Sequence, residues 1–181
     1  MGLQLADIEK LFNAHGHIEY SGEGVTQLEH ALQCAHLAEK ADAPMELVTA
    51  AFLHDLGHML NPQGETPSAR GIDDQHQYFA IPFLRPLFRP AVIESIRLHV
   101  DAKRALCALE TEYYEALSED SKRSLTLQGG IFNREDLRAF LAKPHAEDAM
   151  KVRRWDDQAK VAGAVTPPLG HYLEIAARCA C

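Results

Sequence analysis

Ten histidines stand in a chain of 181 residues, and their placement is where chemistry is sought first. Imidazole is the commonest metal-binding side chain. The pair His54-Asp55 lies inside AAFLHDLGHML, an otherwise apolar segment that reads as mid-helix. Successive helical residues point about 100° apart, so the two cannot share one ligand position, but they can flank one ion or bridge two. A lone carboxylate in such a segment is costly to bury, and a cation is one reason to keep it there. A surface-facing His-Asp pair is the plainer alternative. His30 in the preceding helix and His99 in a later one are both set among apolar residues, and Asp156 stands in RRWDDQAK, again helical. Singly, each reads as a satisfied core or boundary residue. As a series, His…His-Asp…Asp, they offer the nitrogen and carboxylate donors that suit iron, zinc or manganese.

These residues must be positioned by helices. Residues 3–14 carry Leu3, Ile8, Leu11 and Phe12 at helical spacing. After a Gly-containing turn, Thr26 is placed to cap a helix whose inner face is Leu28, Ala31, Leu32, Ala35 and Ala38. Pro44 opens another, with Leu47, Val48, Ala51 and Phe52 inward. Residues 61–74 are rich in Gly, Pro and polar types and read as a loop. Further helices are expected at about 75–84, from Pro90 to about Cys107, and over 110–118, 134–142, 145–163 and 169–179, the last set off by Pro167-Pro168. No alternating strand pattern, repeat or interdomain linker is visible. The expected fold is all-α, a single helical bundle.

Hydrophobic residues at 46% and charged residues at 24% exclude a disordered chain. A formal charge of −8 opposes non-specific binding of nucleic acid or of an anionic membrane surface. A small anionic substrate remains compatible, because a pocket needs only a few local cations. The cysteines Cys34, Cys107, Cys179 and Cys181 show no CxxC spacing and read as free thiols. The first residues, MGLQLADIEKLF, lack the pattern of a secretory signal, and no apolar stretch approaches the ~20 residues of a membrane span. A cytoplasmic enzyme is the expectation.

The order His30, His54-Asp55, Asp156 resembles the ligand pattern of the HD-domain superfamily, whose simple members bind one metal and hydrolyse phosphate esters. Ahead of it stands Tyr20-Ser21-Gly22-Glu23, followed by GVTQLEHALQCAHLAE; beyond it come HDLGH, HVDAKR, SLTLQGG and RRWDDQAK. From about Tyr20 to about Lys160 these motifs resemble the HD-domain oxygenases that degrade organophosphonates, enzymes related to myo-inositol oxygenase. The resemblance implies one HD domain over residues 1–181, with a ligand-bearing core at about 20–160. It implies a mixed-valent Fe(II)/Fe(III) pair with O2 as co-substrate. The reaction it implies cleaves the carbon–phosphorus bond of a 1-hydroxyphosphonate, a small-molecule partner, to a carboxylate and phosphate. One iron would take His30, His54 and Asp156, the other His76 and His99, with Asp55 bridging. Tyr20 matches a tyrosine that occupies the iron site before substrate arrives, and Glu23 the glutamate that hydrogen-bonds it. His58, four residues after His54 and so on the same helix face, matches a substrate-pocket histidine. Lys103, four after His99, and Arg153, three before Asp156, match the cations that hold the phosphonate, and Ser124, Thr126 and Gln128 would complete the anion site.

Two rivals frame the function. An ordinary HD-type metal-dependent phosphohydrolase needs neither Tyr20 and Glu23 nor the two extra histidines. Within the oxygenase reading, 1-hydroxy-2-(trimethylammonio)ethylphosphonate would give glycine betaine, and 2-amino-1-hydroxyethylphosphonate would give glycine. A trimethylammonium group prefers aromatic faces. Tyr78, Phe79, Phe83, Tyr113 and Tyr114 could supply them, which favours the trimethylated substrate. His15, His17, His36, His145 and His171 are expected at the surface or at helix ends, and Trp155 in the core.

Overall fold

A computed structural model describes residues 3–64 and 66–181, and among them the regular structure is helical. The helices are α1 (Leu5–His15), α2 (Gln27–Lys40), α3 (Met45–Leu53), α4 (Leu56–Leu60), α5 (His76–Phe79), α6 (Ile81–Leu84) and α7 (Pro90–Leu109). There follow α8 (Thr111–Ala116), α9 (Glu119–Leu127), α10 (Arg134–Leu141), α11 (Ala146–Gln158) and α12 (Leu169–Cys179). A 3₁₀ turn, Pro67–Arg70, interrupts the 61–74 loop. The all-α expectation holds.

Local chemistry accounts for the helix starts. Thr26 and Glu29 form a reciprocal capping box, the Thr26 hydroxyl accepting from the Glu29 amide at 3.2 Å and the Glu29 carboxylate from the Thr26 amide at 2.7 Å. Proline stands at the first turn of α7, where its missing N–H leaves nothing unsatisfied. Helix α9 lies in a stretch for which no helix was expected. Its signal is Ser118, which accepts from the Ser121 amide, followed by Glu119 and Asp120 in the first turn. Helix α11 ends at Gln158, short of the expected 163, because the chain leaves helical geometry at Ala159.

The main core is built from α1, α2, α3, the first half of α7, α11 and α12, with Phe12 stacked on Phe52 at 4.9 Å between centroids. A second cluster packs Leu98, Ala102 and Ala105 of α7 against Ala146 and Ala149 of α11 and Phe140 of α10. The alanines allow these two long helices to lie close together. Trp155 is partly buried against the main core, as expected of an anchor. Cys34, Cys107 and Cys179 are buried free thiols and Cys181 an exposed one. None of the five peripheral histidines is buried. Among the described residues, no helix is long and apolar enough to cross a membrane.

Candidate metal centre and cleft

The site lies where α2, α3, α5, α7 and α11 converge. His54 and Asp55 are not mid-helix. The helix breaks between α3 and α4, with Asp55 at φ −101°, ψ 11°, the sparsely used bridge region where active-site residues often sit. Asp55 stands at this break, and its carboxylate lies beside His54 Nε2 at 3.3 Å. The break also removes the expected reason for His58 to lie near His54, since the two belong to different helices.

Each ligand candidate is oriented through its outer nitrogen. His54 Nδ1 lies 2.8 Å from the Ala51 carbonyl and His99 Nδ1 2.7 Å from the Ile96 carbonyl, both three residues back on the same helix. His30 Nδ1 lies 2.9 Å from the Ala159 carbonyl where α11 ends. His76 Nδ1 lies 2.8 Å from Asp74 Oδ1. Carbonyls and carboxylates only accept, so Nδ1 carries the hydrogen in all four rings, and each Nε2 of a neutral ring presents a lone pair.

Those lone pairs converge in two groups. His30 and His54 Nε2 lie 3.4 Å apart, and Asp55 Oδ2 is 3.5 and 3.3 Å from them. Asp156 Oδ1 is 3.4 and 3.9 Å from the same two nitrogens. In the second group His76 and His99 Nε2 lie 3.1 Å apart, with Asp55 Oδ1 at 3.2 and 3.6 Å. Asp55 thus turns one oxygen to each group. Donors held ~2.1 Å from a common ion stand roughly 3–3.5 Å from one another, so these edges match two coordination shells sharing one carboxylate. Asp55 Oδ2 is buried with no hydrogen-bond donor. Oxygen and nitrogen lone pairs facing one another in a dry site repel unless cations lie between them, so the residues fit a metal pair.

Electrostatics support the same reading. Burial works to raise the Asp156 carboxyl, but the Arg153 guanidinium outweighs it at 2.7 Å, with help from His30 and His54, and the carboxyl stays well below the usual range. Burial and then the Asp156 and Asp55 charges push the Tyr20 phenol well above its ordinary value. Tyr20 stacks on His30 at 3.9 Å and donates to Asp156 Oδ1 at 3.5 Å.

A narrow cleft opens onto this cluster, lined among others by Tyr20, His58, Lys103, Ser121, Gln128 and Lys160. Lys103 is 2% exposed, and its ammonium donates to Ser124 Oγ at 2.8 Å. Arg153 is also buried, bonded to Asp156 and Asp157 and reaching Ser121 Oγ at 3.5 Å. Gln128 Oε1 is buried without a partner. Two buried cations, two hydroxyls and the Gln128 amide therefore face one space, shared with Lys160 and the carboxylates of Asp55, Asp73, Asp74, Asp120 and Asp156; the cations, hydroxyls and amide N–H groups are donors that a tetrahedral oxyanion can use.

The sequence pattern of the HD domain matches residues 28–157. The chain is 43% identical over 172 residues to the hydroxymethylphosphonate dioxygenase of Gimesia maris, covering 94% of this chain and 85% of that protein. It belongs to the HD-domain phosphonate oxygenases. A glycine-betaine-forming [1-hydroxy-2-(trimethylamino)ethyl]phosphonate dioxygenase of Leisingera caerulea is 36% identical to the oxygenase over 168 residues, 93% of this chain and 86% of the relative. An uncharacterized protein of Acanthamoeba polyphaga mimivirus is 34% identical over 171 residues, 93% and 78% of the two chains.

All six expected ligands of the oxygenase meet in the cluster, and Tyr20, His58, Lys103, Ser124, Gln128 and Arg153 meet in the cleft. Three expectations need correction. Glu23 does not hold the Tyr20 hydroxyl; its Oε1 accepts from Ser118 Oγ at 2.7 Å and Lys160 Nζ at 2.9 Å, because the 20–24 turn carries it outward to the α8–α9 junction. Thr126 is exposed and donates back to the Lys122 carbonyl at 3.3 Å, since two residues along a helix from Ser124 is the opposite face. The aromatic residues do not enclose the cleft. Tyr78 and Phe79 are exposed beside a surface groove with Phe83, and Tyr113 and Tyr114 pack at the α8 cluster, Tyr113 bonding Asp157 and Arg153. Sequence reasoning missed Asp74, Ser121 and Lys160. An acid two residues before His76 was the available signal for the first, and a hydroxyl one helical turn before Ser124 for the second.

Proposed function

We propose that the chain uses O2 and a pair of iron ions to cleave the carbon–phosphorus bond of a small 1-hydroxyphosphonate, with hydroxymethylphosphonate the best fit. The observation that carries this reading is the meeting of two ligand groups, joined through Asp55, with a cleft that holds the buried cations Lys103 and Arg153. For R–CH(OH)–PO3H2 plus O2 the products R–COOH and phosphoric acid balance without water: the C–H and C–P bonds break, and one oxygen atom of O2 enters each product. For hydroxymethylphosphonate the carboxylate is formate.

In this reading His30, His54 and Asp156 hold one ion, His76 and His99 the other, and Asp55 both. When bound, the metal pair supplies O2 activation and the oxidation of the carbon. Lys103 and Arg153 neutralise the phosphonate, and Ser121, Ser124 and Gln128 take up its remaining oxygens. Tyr20 closes the cleft over His30 and must yield its place to the substrate hydroxyl. Exclusion of water follows from burial of the whole cluster.

The cleft lining also bears on the choice of substrate. Tyr20 is its one phenolic or phenyl ring among the described residues. That favours a substrate without the trimethylammonium group, against the lean drawn from Tyr78, Phe79, Phe83, Tyr113 and Tyr114. The test is kcat/KM for all three compounds with iron-loaded protein, aerobically and anaerobically. We expect phosphate release to require O2 and to be at least about tenfold better for hydroxymethylphosphonate than for the trimethylated compound. Phosphate release that persists without O2 would indicate a hydrolase, and a tenfold preference for the trimethylated compound would overturn the choice of substrate.

A further inference from the structure

The Asp74 carboxylate joins the cleft to the metal cluster through two contacts that the reading above leaves unused. Its Oδ1 accepts from His76 Nδ1 at 2.8 Å, and its Oδ2 lies 2.6 Å from His58 Nδ1. The two imidazoles are stacked, with centroids 4.1 Å apart and 25° between their planes, so one carboxylate grips both rings along the same edge. A carboxylate at this distance accepts, so both Nδ1 atoms carry hydrogen and both Nε2 atoms face away from Asp74. The two Nε2 atoms point toward one oxygen, Asp55 Oδ1, at 3.2 Å from His76 and 3.7 Å from His58. His76 belongs to the second ligand group, whereas His58 lies outside both ligand groups of the centre and lines the cleft.

We infer that Asp74 is a positioning residue shared by the metal centre and the substrate cleft. It fixes the tautomer of His76, so that a lone pair faces the second ion. It fixes the tautomer of His58 equally, so that an acceptor faces the substrate hydroxyl rather than a donor. The ring stack makes the two orientations interdependent, since neither imidazole can turn without losing its neighbour and its hydrogen bond together. The inference deepens the dinuclear reading and rests on it for what His76 and His58 face. An asparagine at position 74 has one acceptor and one donor in place of two acceptors. One of the two rings must then turn a lone pair to the amide and move its hydrogen to Nε2, which spoils either the metal ligand or the cleft acceptor.

The test uses zinc, which is redox-silent, in the full chain labelled with 15N-histidine. Wild type, Asp74→Asn and Asp74→Glu are compared by imidazole 15N–1H correlation spectra and by zinc titration. In wild type we expect His58 and His76 both in the Nδ1–H form. In Asp74→Asn one of them should move to the Nε2–H form: if it is His76, the second zinc should bind roughly 10–100-fold more weakly while the first stays within about twofold, and if it is His58, both zincs should stay within about twofold. Asp74→Glu should restore the Nδ1–H form. Unchanged tautomers and zinc affinities in Asp74→Asn would overturn the inference, as would equal weakening of both zincs, which marks a merely structural role. Wild type that takes up a single zinc would instead overturn the two-ion reading, and the His58 tautomer in Asp74→Asn would still decide the role of Asp74 on the cleft side.

Discussion

Lys103 carries a conflict at the scale of one residue. Burial and then the Arg153 charge push its ammonium down to about 7, whereas in an unfolded chain lysine titrates near ~10.4. Between those values the unfolded chain holds a proton that the folded chain lacks. The metal-free protein therefore gains stability as pH rises from about 7 toward 10, and carries the full penalty of a buried charge below about 7. Lys103→Met removes that penalty. Metal-free Lys103→Met should gain on wild type by more at pH 6 than at pH 9, with a difference of roughly 1–3 kcal/mol, read from denaturant unfolding at the two pH values. A difference that does not vary with pH would mean that Lys103 is solvated in the fold. A phosphonate supplies the counter-charge that Lys103 lacks in the metal-free fold, so the same strain favours anion binding.

At the scale of elements, Gly57 permits the close approach of α4 to α5 just after the α3–α4 break. Helix α4 passes so close to the start of α5 that a methyl group on Gly57 would overlap the His76 carbonyl and its carbon. The obstruction is backbone, so relief requires α5 to move and His76 with it. Gly57→Ala is expected to lower stability by about 1–3 kcal/mol despite the better helix propensity of alanine, and to weaken the second ion while sparing the first. Thermal unfolding of the metal-free protein and metal titration check the two halves separately; a stabilised variant with intact binding would show that α5 repacks freely. On α7 and α11, by contrast, continuous helix is what works. Lys103 lies one turn from His99 and Arg153 one turn from Asp156, so each helix delivers a ligand and a cation to the same side.

For the whole molecule, the ligands come from α2, the α3–α4 break, α5, α7 and α11, so bound metal ties together elements far apart in sequence. A ligand that binds only the folded state stabilises it by about 2.7 kcal/mol when its free concentration is a hundred times Kd. Chelation should therefore lower Tm by several degrees, and restored metal should recover it. A Tm indifferent to chelator would mean that the helices hold the lone pairs together unaided. The net charge of −8 is compatible with an anionic substrate because Lys103 and Arg153 are buried at the cleft, which separates what the surface repels from what the site admits.

Helical periodicity, the Thr26 cap and the prolines sufficed to place most helices, because these signals act within a few residues. Five of the ligands, His30, His54, Asp55, His99 and Asp156, were legible as an ordered series rather than singly; His76 and the sharing of Asp55 came through family resemblance. Ser118 was a cap in plain view, but α9 is too polar to show a strong apolar face, and it went unread. The rest depended on tertiary contact. The break at Asp55 and the close backbone approach of Gly57 on α4 to His76 on α5 are both invisible in helical periodicity. Glu23 pairs with Lys160 across 137 positions, a distance over which sequence spacing carries no information. The five aromatic residues had the right chemistry for a cation cage but stand on faces that turn away from the cleft, and only the packing of α5, α6 and α8 decided that.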